Sequence, residues 1–131
     1  MARRPETGSW MWLAAASLVA AAGFLAAAGP ATAEEDGRIV YNNHCRTCHS
    51  TKEGDDRLGP NLHAIVGREA GATEFGYSDA LAKADFEWTR EKLDAFIENP
   101  DAVVTGHGMK PYPGIADAKI RETILDFLEG L

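Results

Sequence analysis

Two thiols and an imidazole lie in one short run, Cys45-Arg46-Thr47-Cys48-His49. These are the only 2 cysteines of the chain. A disulfide framework spreads its cysteines to staple distant segments, and this pair closes no useful loop. The spacing therefore reads as chemistry. A C-x-x-C pair suits a thioredoxin-like redox site, which needs a βαβ pattern, or half of a zinc site, which needs further ligands. No strand pattern and no second cysteine pair are present. The histidine directly after Cys48 completes the C-x-x-C-H pattern of c-type haem attachment. Each thiol adds across one vinyl group of the macrocycle, and the two-residue gap sets both sulfurs against one edge. The adjacent imidazole then lies under the iron. One covalent haem c on Cys45 and Cys48, with His49 as proximal iron ligand, is the expectation.

The opposite ligand must come from elsewhere. Met109 lies 60 residues beyond His49, in a loop rich in glycine and proline. The other methionines, Met1 and Met11, fall in the N-terminal segment. A thioether opposite histidine is soft and raises the reduction potential. His107, two residues earlier, is the alternative and would give a bis-histidine haem of lower potential. Ligand type and loop setting favour Met109, and on that reading His107 is dispensable to the Met–iron bond.

The elements that must position these groups are helical. A first helix is expected over Gly37–Cys48, with Glu34, Glu35 and Asp36 near its positive N-terminal end. Residues 50–68 carry turn-forming Gly, Asp, Pro and Asn and read as loop. Short helices follow over Ser78–Ala84, with Ser78 as N-cap, and over Thr89–Glu98, which Asn99-Pro100 stops. Val103–Gly114 reads as irregular loop, and Ala118–Glu129 as the last helix. The class is all-α with long loops. In so small a domain such loops need something to fill the middle, and a haem does so.

The N-terminus reads as an export signal. Arg3 and Arg4 precede a nearly continuous apolar stretch from Leu13 to Ala28, then Pro30 and the small residues Ala31-Thr32-Ala33. Residues 1–33 are expected to be removed, leaving 34–131 as one domain in the periplasm. The alternative is a retained membrane anchor, for which the stretch is somewhat short. Of 13 Lys+Arg and 20 Asp+Glu in the chain, 11 and 19 lie beyond residue 33, a net charge of −8. Nucleic acid is an unsuitable partner for that charge, no stable membrane insertion is expected after cleavage, and a monomer is expected.

Around these residues the sequence resembles the class I cytochromes c, of the bacterial cytochrome c2 and mitochondrial kind, over nearly all of 34–131. Gly37 and Tyr41 match that family's N-terminal helix, and Ile124 and Phe127 their partners on the C-terminal one. Gly59-Pro60-Asn61-Leu62-His63 matches the loop whose proline carbonyl accepts the proximal histidine N–H. The resemblance implies that Arg68 neutralises a haem propionate, that Tyr77 and Trp88 donate to the buried one, and that Met109 is the distal ligand. Phe96 stands where the family often has Tyr, and His107 where it has Thr. The family's ring of docking lysines is largely replaced by His44, Asp101, Ala102, Gly108, Ala116 and Asp117, leaving Arg46, Arg57 and Lys110.

The implied function is not enzymatic. It is electron transfer from a quinol-oxidising complex or dehydrogenase to a terminal oxidase, reductase or photosynthetic centre. The acidic balance points to redox partners with a neutral or basic docking face. The rival is a haem subunit of a multi-subunit oxidoreductase, which would carry a larger apolar interface. A peroxidase needs an open iron site, which Met109 closes.

Overall fold

A computed structural model describes residues 33–131. Of the expected signal segment, residues 1–32 lie outside the described residues. Five helices follow in order: α1 Ala33–His44, α2 Asp79–Ala82, α3 Arg90–Glu98, α4 Pro100–Val103 and α5 Ala118–Glu129. The only pairing of β type among the described residues is an isolated antiparallel bridge between Glu69 and Glu87.

The helix starts follow from capping. Ser78, Thr89 and Asp117 each place a side-chain oxygen on backbone N–H groups of the first turn of α2, α3 and α5, satisfying donors that have no partner inside the helix. Pro100 does more than stop α3. It occupies the first position of α4, where its missing N–H costs nothing.

Helices α1 and α5 cross closely because Gly37 has no side chain. A Cβ there would stand 2.9 Å from Cβ of Phe127. One turn on, Tyr41 packs against the Phe127 ring at 5.2 Å between centroids. Behind this crossing Ile124, Leu125 and Leu128 form the deepest part of the core. Leu93 and Phe96 of α3 join it, with Trp88 wedged between the rings of Phe86 and Phe96.

A buried charge fastens the frame. Arg121 of α5 gives its Nε–H to Asp94 Oδ1 at 2.8 Å and one terminal nitrogen to the carbonyls of Ile115 and Ala116, both at 2.9 Å. Those bonds tie α5 to α3 and to the end of the methionine-bearing loop.

Candidate haem site

The first helix ends sooner than the sequence suggests. Regular helix stops at His44, and Cys45–Cys48 form tight turns. Their bonding still follows the helix: Cys45 N–H reaches Tyr41 O at 2.8 Å, and His49 N–H reaches Cys45 O at 2.9 Å. Both cysteines thus stand on one short curl with the imidazole at its end. Tyr41 donates its hydroxyl to His49 O at 2.9 Å, holding that end from the helix side.

The opposite wall is the strand of chain from Arg57 to Leu62. Gly59 N–H bonds Cys48 O at 2.8 Å, and Leu62 N–H bonds Ser50 O at 2.8 Å. Between them Pro60 O lies 2.7 Å from His49 Nδ1. A proline carbonyl only accepts, so Nδ1 carries the proton and Nε2 keeps its lone pair. Burial lowers the His49 pKa, and the Pro60 bond partly opposes this. The ring therefore stays neutral, as a metal ligand must. Gly59 makes room for it. A Cβ there would lie 2.8 Å from Nδ1 and 3.0 Å from Nε2.

The wall is itself braced. Asn61 gives both its backbone and side-chain N–H to Asp56 Oδ1, at 2.8 and 2.9 Å. Those donors hold the Asp56 carboxyl below the ordinary carboxylate range. Arg68 donates to Asn61 O at 2.7 Å and to His63 O at 3.0 Å. It thus fastens the carbonyls just beyond Pro60. Burial draws the Arg68 guanidinium pKa down.

Trp88 N–H bonds Arg68 O at 2.8 Å, and Gly67 N–H bonds Trp88 O at 2.8 Å, so Arg68 and Trp88 are neighbours along a short ladder. Trp88 is buried. Tyr77 is half-buried, and its hydroxyl pairs with Thr73 Oγ1 at 2.7 Å.

The methionine loop hangs from the end of α3. Tyr112 donates its hydroxyl to Ile97 O at 2.7 Å, and Ile115 N–H bonds the same carbonyl at 2.9 Å. Met109 is partly buried and packs against the core. His107 is not the free alternative ligand that the sequence suggests. Its ring is fully buried, edge-on to Phe96, and Nδ1 accepts the Met109 N–H at 2.8 Å. Residue types alone do not specify this bond. The only local hint was the pair of glycines flanking His107, both at positive φ, +83° at Gly106 and +79° at Gly108. Such a backbone suits glycine, and it turns the ring inward.

The surroundings of Cys45 bear on the competing chemistries. Burial first, and then the neighbouring Cys48, push the Cys45 thiol up to about 12. A zinc thiolate or a reactive redox cysteine needs the opposite shift. A neutral thioether sulfur in apolar surroundings fits it. Two cysteine sulfurs on one curl, an imidazole fixed at Nδ1 by Pro60 and a methionine thioether together form a donor set that suits haem c.

The comparisons agree with this reading. The family model described as cytochrome c matches residues 34–123. Cytochrome c2 of Rhodopila globiformis is 35% identical over 97 residues, covering 73% of this chain and 91% of that protein. Cytochrome c of Stellaria longipes is 34% identical over 95 residues, covering 71% and 87%. Among solved structures, cytochrome cH from Methylobacterium extorquens matches with a TM-score of 0.64 at 30% identity, over 72% of this chain and 95% of that one. By its motif, its fold and these relatives, the chain belongs to the cytochrome c family, is built to bind one covalent haem c, and is a single-haem electron carrier.

Proposed function

We propose that the protein is an exported, periplasmic carrier. It moves one electron from a quinol-oxidising complex or dehydrogenase to a terminal oxidase, reductase or photosynthetic centre. The observation that carries the site is the 2.7 Å pairing of His49 Nδ1 with Pro60 O inside a C-x-x-C-H run. It fixes the tautomer and orientation of the proximal ligand before the iron is considered. Cys45 and Cys48 hold the haem, and His49 and Met109 are its two ligands. The haem, when bound, supplies the one-electron couple; the chain supplies ligands that stay put in both oxidation states and a potential raised by the thioether. Arg68, Tyr77 and Trp88 face the propionates. For two of them adjacency supports that role: Trp88 bonds Arg68 along the ladder.

Export rests on the signal features of residues 1–33, with residues 34–131 as the mature domain. No helix among the described residues is long and apolar enough to cross a membrane. The partner reading rests on charge. Of the three candidate edge cations, Lys110 is paired with Asp101 at 2.9 Å and Arg57 with Asp55 at 3.4 Å. The local positive spot is therefore weaker than the sequence suggests, and the overall field is acidic. A docking face that is neutral or basic suits it.

The test is an absorption spectrum of the exported protein, oxidised and reduced, followed by electron-transfer rates against ionic strength. A haem that survives acid extraction, together with a weak near-infrared Met–iron band that Met109→Ala abolishes, is expected. Exposed charges more than about 10 Å apart are largely screened at 0.1 M salt, so local and global charge separate. A steep fall with salt toward an acidic partner, removed by Arg46→Glu and Lys110→Glu, would overturn the partner reading.

A further inference from the structure

The methionine loop contains a device that the ligand assignment does not use. His107 is 2% exposed, the most enclosed polar side chain among the described residues. Its Nδ1 accepts the backbone N–H of Met109 at 2.8 Å. The ring proton is consequently on Nε2. That atom is the one buried side-chain polar atom among the described residues without a hydrogen-bond partner. It lies 3.4 Å from Asp101 Oδ1, close enough to attract but outside hydrogen-bond geometry. Asp101 sits in the first turn of α4, and its other oxygen accepts Lys110 Nζ at 2.9 Å. Phe96 backs the ring at 5.5 Å and 83°.

A buried neutral histidine with one unspent donor is costly to keep. A threonine or valine would fill a loop position without that cost. What the imidazole alone supplies here is an acceptor two residues before the methionine, set on a rigid ring that the core cannot let rotate. Glycines on both sides give the backbone the reversed curvature that this geometry demands.

We propose that His107 is the positioning residue for the sixth iron ligand: by accepting the Met109 N–H from a fixed ring it holds the thioether against dissociation. Asp101 lies on the far side of the ring, 3.4 Å from Nε2, and Lys110 holds Asp101. The chain from Gly106 to Lys110 thereby closes on α4 as a clamp. In this role His107 acts through the Met109 backbone and not as an iron ligand. The inference rests on Met109 being the distal ligand.

The test compares His107→Ala, His107→Asn and His107→Gln in the haem-loaded protein. Asparagine sets its amide oxygen near the place of Nδ1, and glutamine sets it near Nε2. Imidazole is added to the oxidised protein, and loss of the near-infrared Met–iron band reports its capture of the sixth site. Removing the acceptor leaves a buried N–H unpaired only while the methionine is bound. Apparent imidazole affinity should rise on the order of tenfold or more in the Ala and Gln variants, and Asn should return most of the way to the parent. Urea midpoints recorded alongside separate a general loss of stability from this specific loss of grip. Equal imidazole affinity in the Asn and Gln variants would overturn the proposal, and that comparison stands even if the alanine variant does not fold. Absence of the near-infrared band in the parent protein would remove Met109 as ligand, and the inference with it; a band present in the parent, with the parent's imidazole affinity retained in the Gln variant, would remove the inference alone.

Discussion

Gly59→Ala is the sharpest perturbation of the proximal side. The substitution adds one methyl group, and nothing in the Gly59 backbone forbids it, because Gly59 is not among the glycines at positive φ. Its effect is therefore steric. The new Cβ would meet the His49 ring at 2.8 Å from Nδ1 and 3.0 Å from Nε2, whereas carbon contacts relax near 3.5–4.0 Å. The ring must retreat by about 1 Å, and a shift of that size carries the 2.7 Å bond to Pro60 beyond hydrogen-bond range. Overpacking costs about 1–3 kcal/mol, and the lost bond adds about 1 kcal/mol. Against this, alanine narrows the unfolded ensemble and returns about 0.4–1 kcal/mol. A net loss of about 1–3 kcal/mol follows, which at a urea slope of about 1–3 kcal/mol/M moves the midpoint down by roughly 1 M. A second readout separates crowding from ligand chemistry. The Pro60 bond raises the basicity of the imidazole and so favours the ferric iron, and losing it should raise the reduction potential. Gly76→Ala is the control, since no atom lies within 4 Å of its Cβ position. Urea unfolding followed at the haem absorption, with a redox titration, checks both expectations. A Gly59→Ala protein with the parent's midpoint and the parent's potential would refute the reasoning.

Two further substitutions test the braces around the motif. Tyr41→Phe removes the hydroxyl that bonds His49 O at 2.9 Å and keeps the ring against Phe127; urea unfolding should show a loss of about 1 kcal/mol with the visible spectrum preserved, and an unchanged midpoint would mean that the bond contributes nothing. Asp56→Asn keeps an acceptor for Asn61 and removes the charge. The Asp56 carboxyl is held below its ordinary range, chiefly by the Asn61 backbone N–H and then its side chain. Its stabilisation is therefore complete above the unfolded value of about 4 and is lost as pH falls through the lower folded value. Midpoints measured from neutral to acid pH should show a constant gap between parent and variant that closes only in acid; a gap independent of pH would assign the effect to packing.

The fold was largely legible where local chemistry decides it. Ala118–Glu129 was readable to the residue from its apolar face, and Asp117 proves to cap it. Ser78 announced α2 as its cap, whereas Thr89, counted inside the expected helix, proves to be the cap of α3. The limits of α1 were less legible. Glu34, Glu35 and Asp36 form its first turn and do not merely precede it, and no proline or glycine marks the end at His44. What ends the helix is the curl needed by Cys45–His49, a tertiary demand. Pro100 was read only as a stop, although proline also suits the first position of a new turn, and so α4 went unseen. Arg121 was invisible as a structural residue, since a charged residue on an amphipathic helix reads as solvated face until Asp94 and two carbonyls are seen around it. The proximal half of the site was readable because its groups are contiguous or carried by a recognisable Gly-Pro-Asn run. The role of His107 was not, because a histidine near a candidate methionine suggests a ligand, and only the inward turn between Gly106 and Gly108 shows it to be a support.

The two iron ligands are held in different ways, and the difference has a consequence. On the proximal side the imidazole ring itself is bonded, Nδ1 to Pro60 O, with room left for it at Gly59, and its residue is anchored by Tyr41 through the His49 carbonyl. On the distal side only the Met109 backbone is held, by His107, and the three rotatable bonds of the thioether lie beyond that hold. The two holds use different residues: the proximal wall is braced by Asp56 and Arg68, the distal loop by α3, α4 and Arg121. A ligand fixed at its ring and a ligand fixed only at its backbone dissociate with unequal ease. An added base should therefore enter at the methionine face, with His49 and both thioether links in place. That is the order of events a carrier needs, since the covalent and proximal attachments keep the haem while the weaker bond tunes its potential.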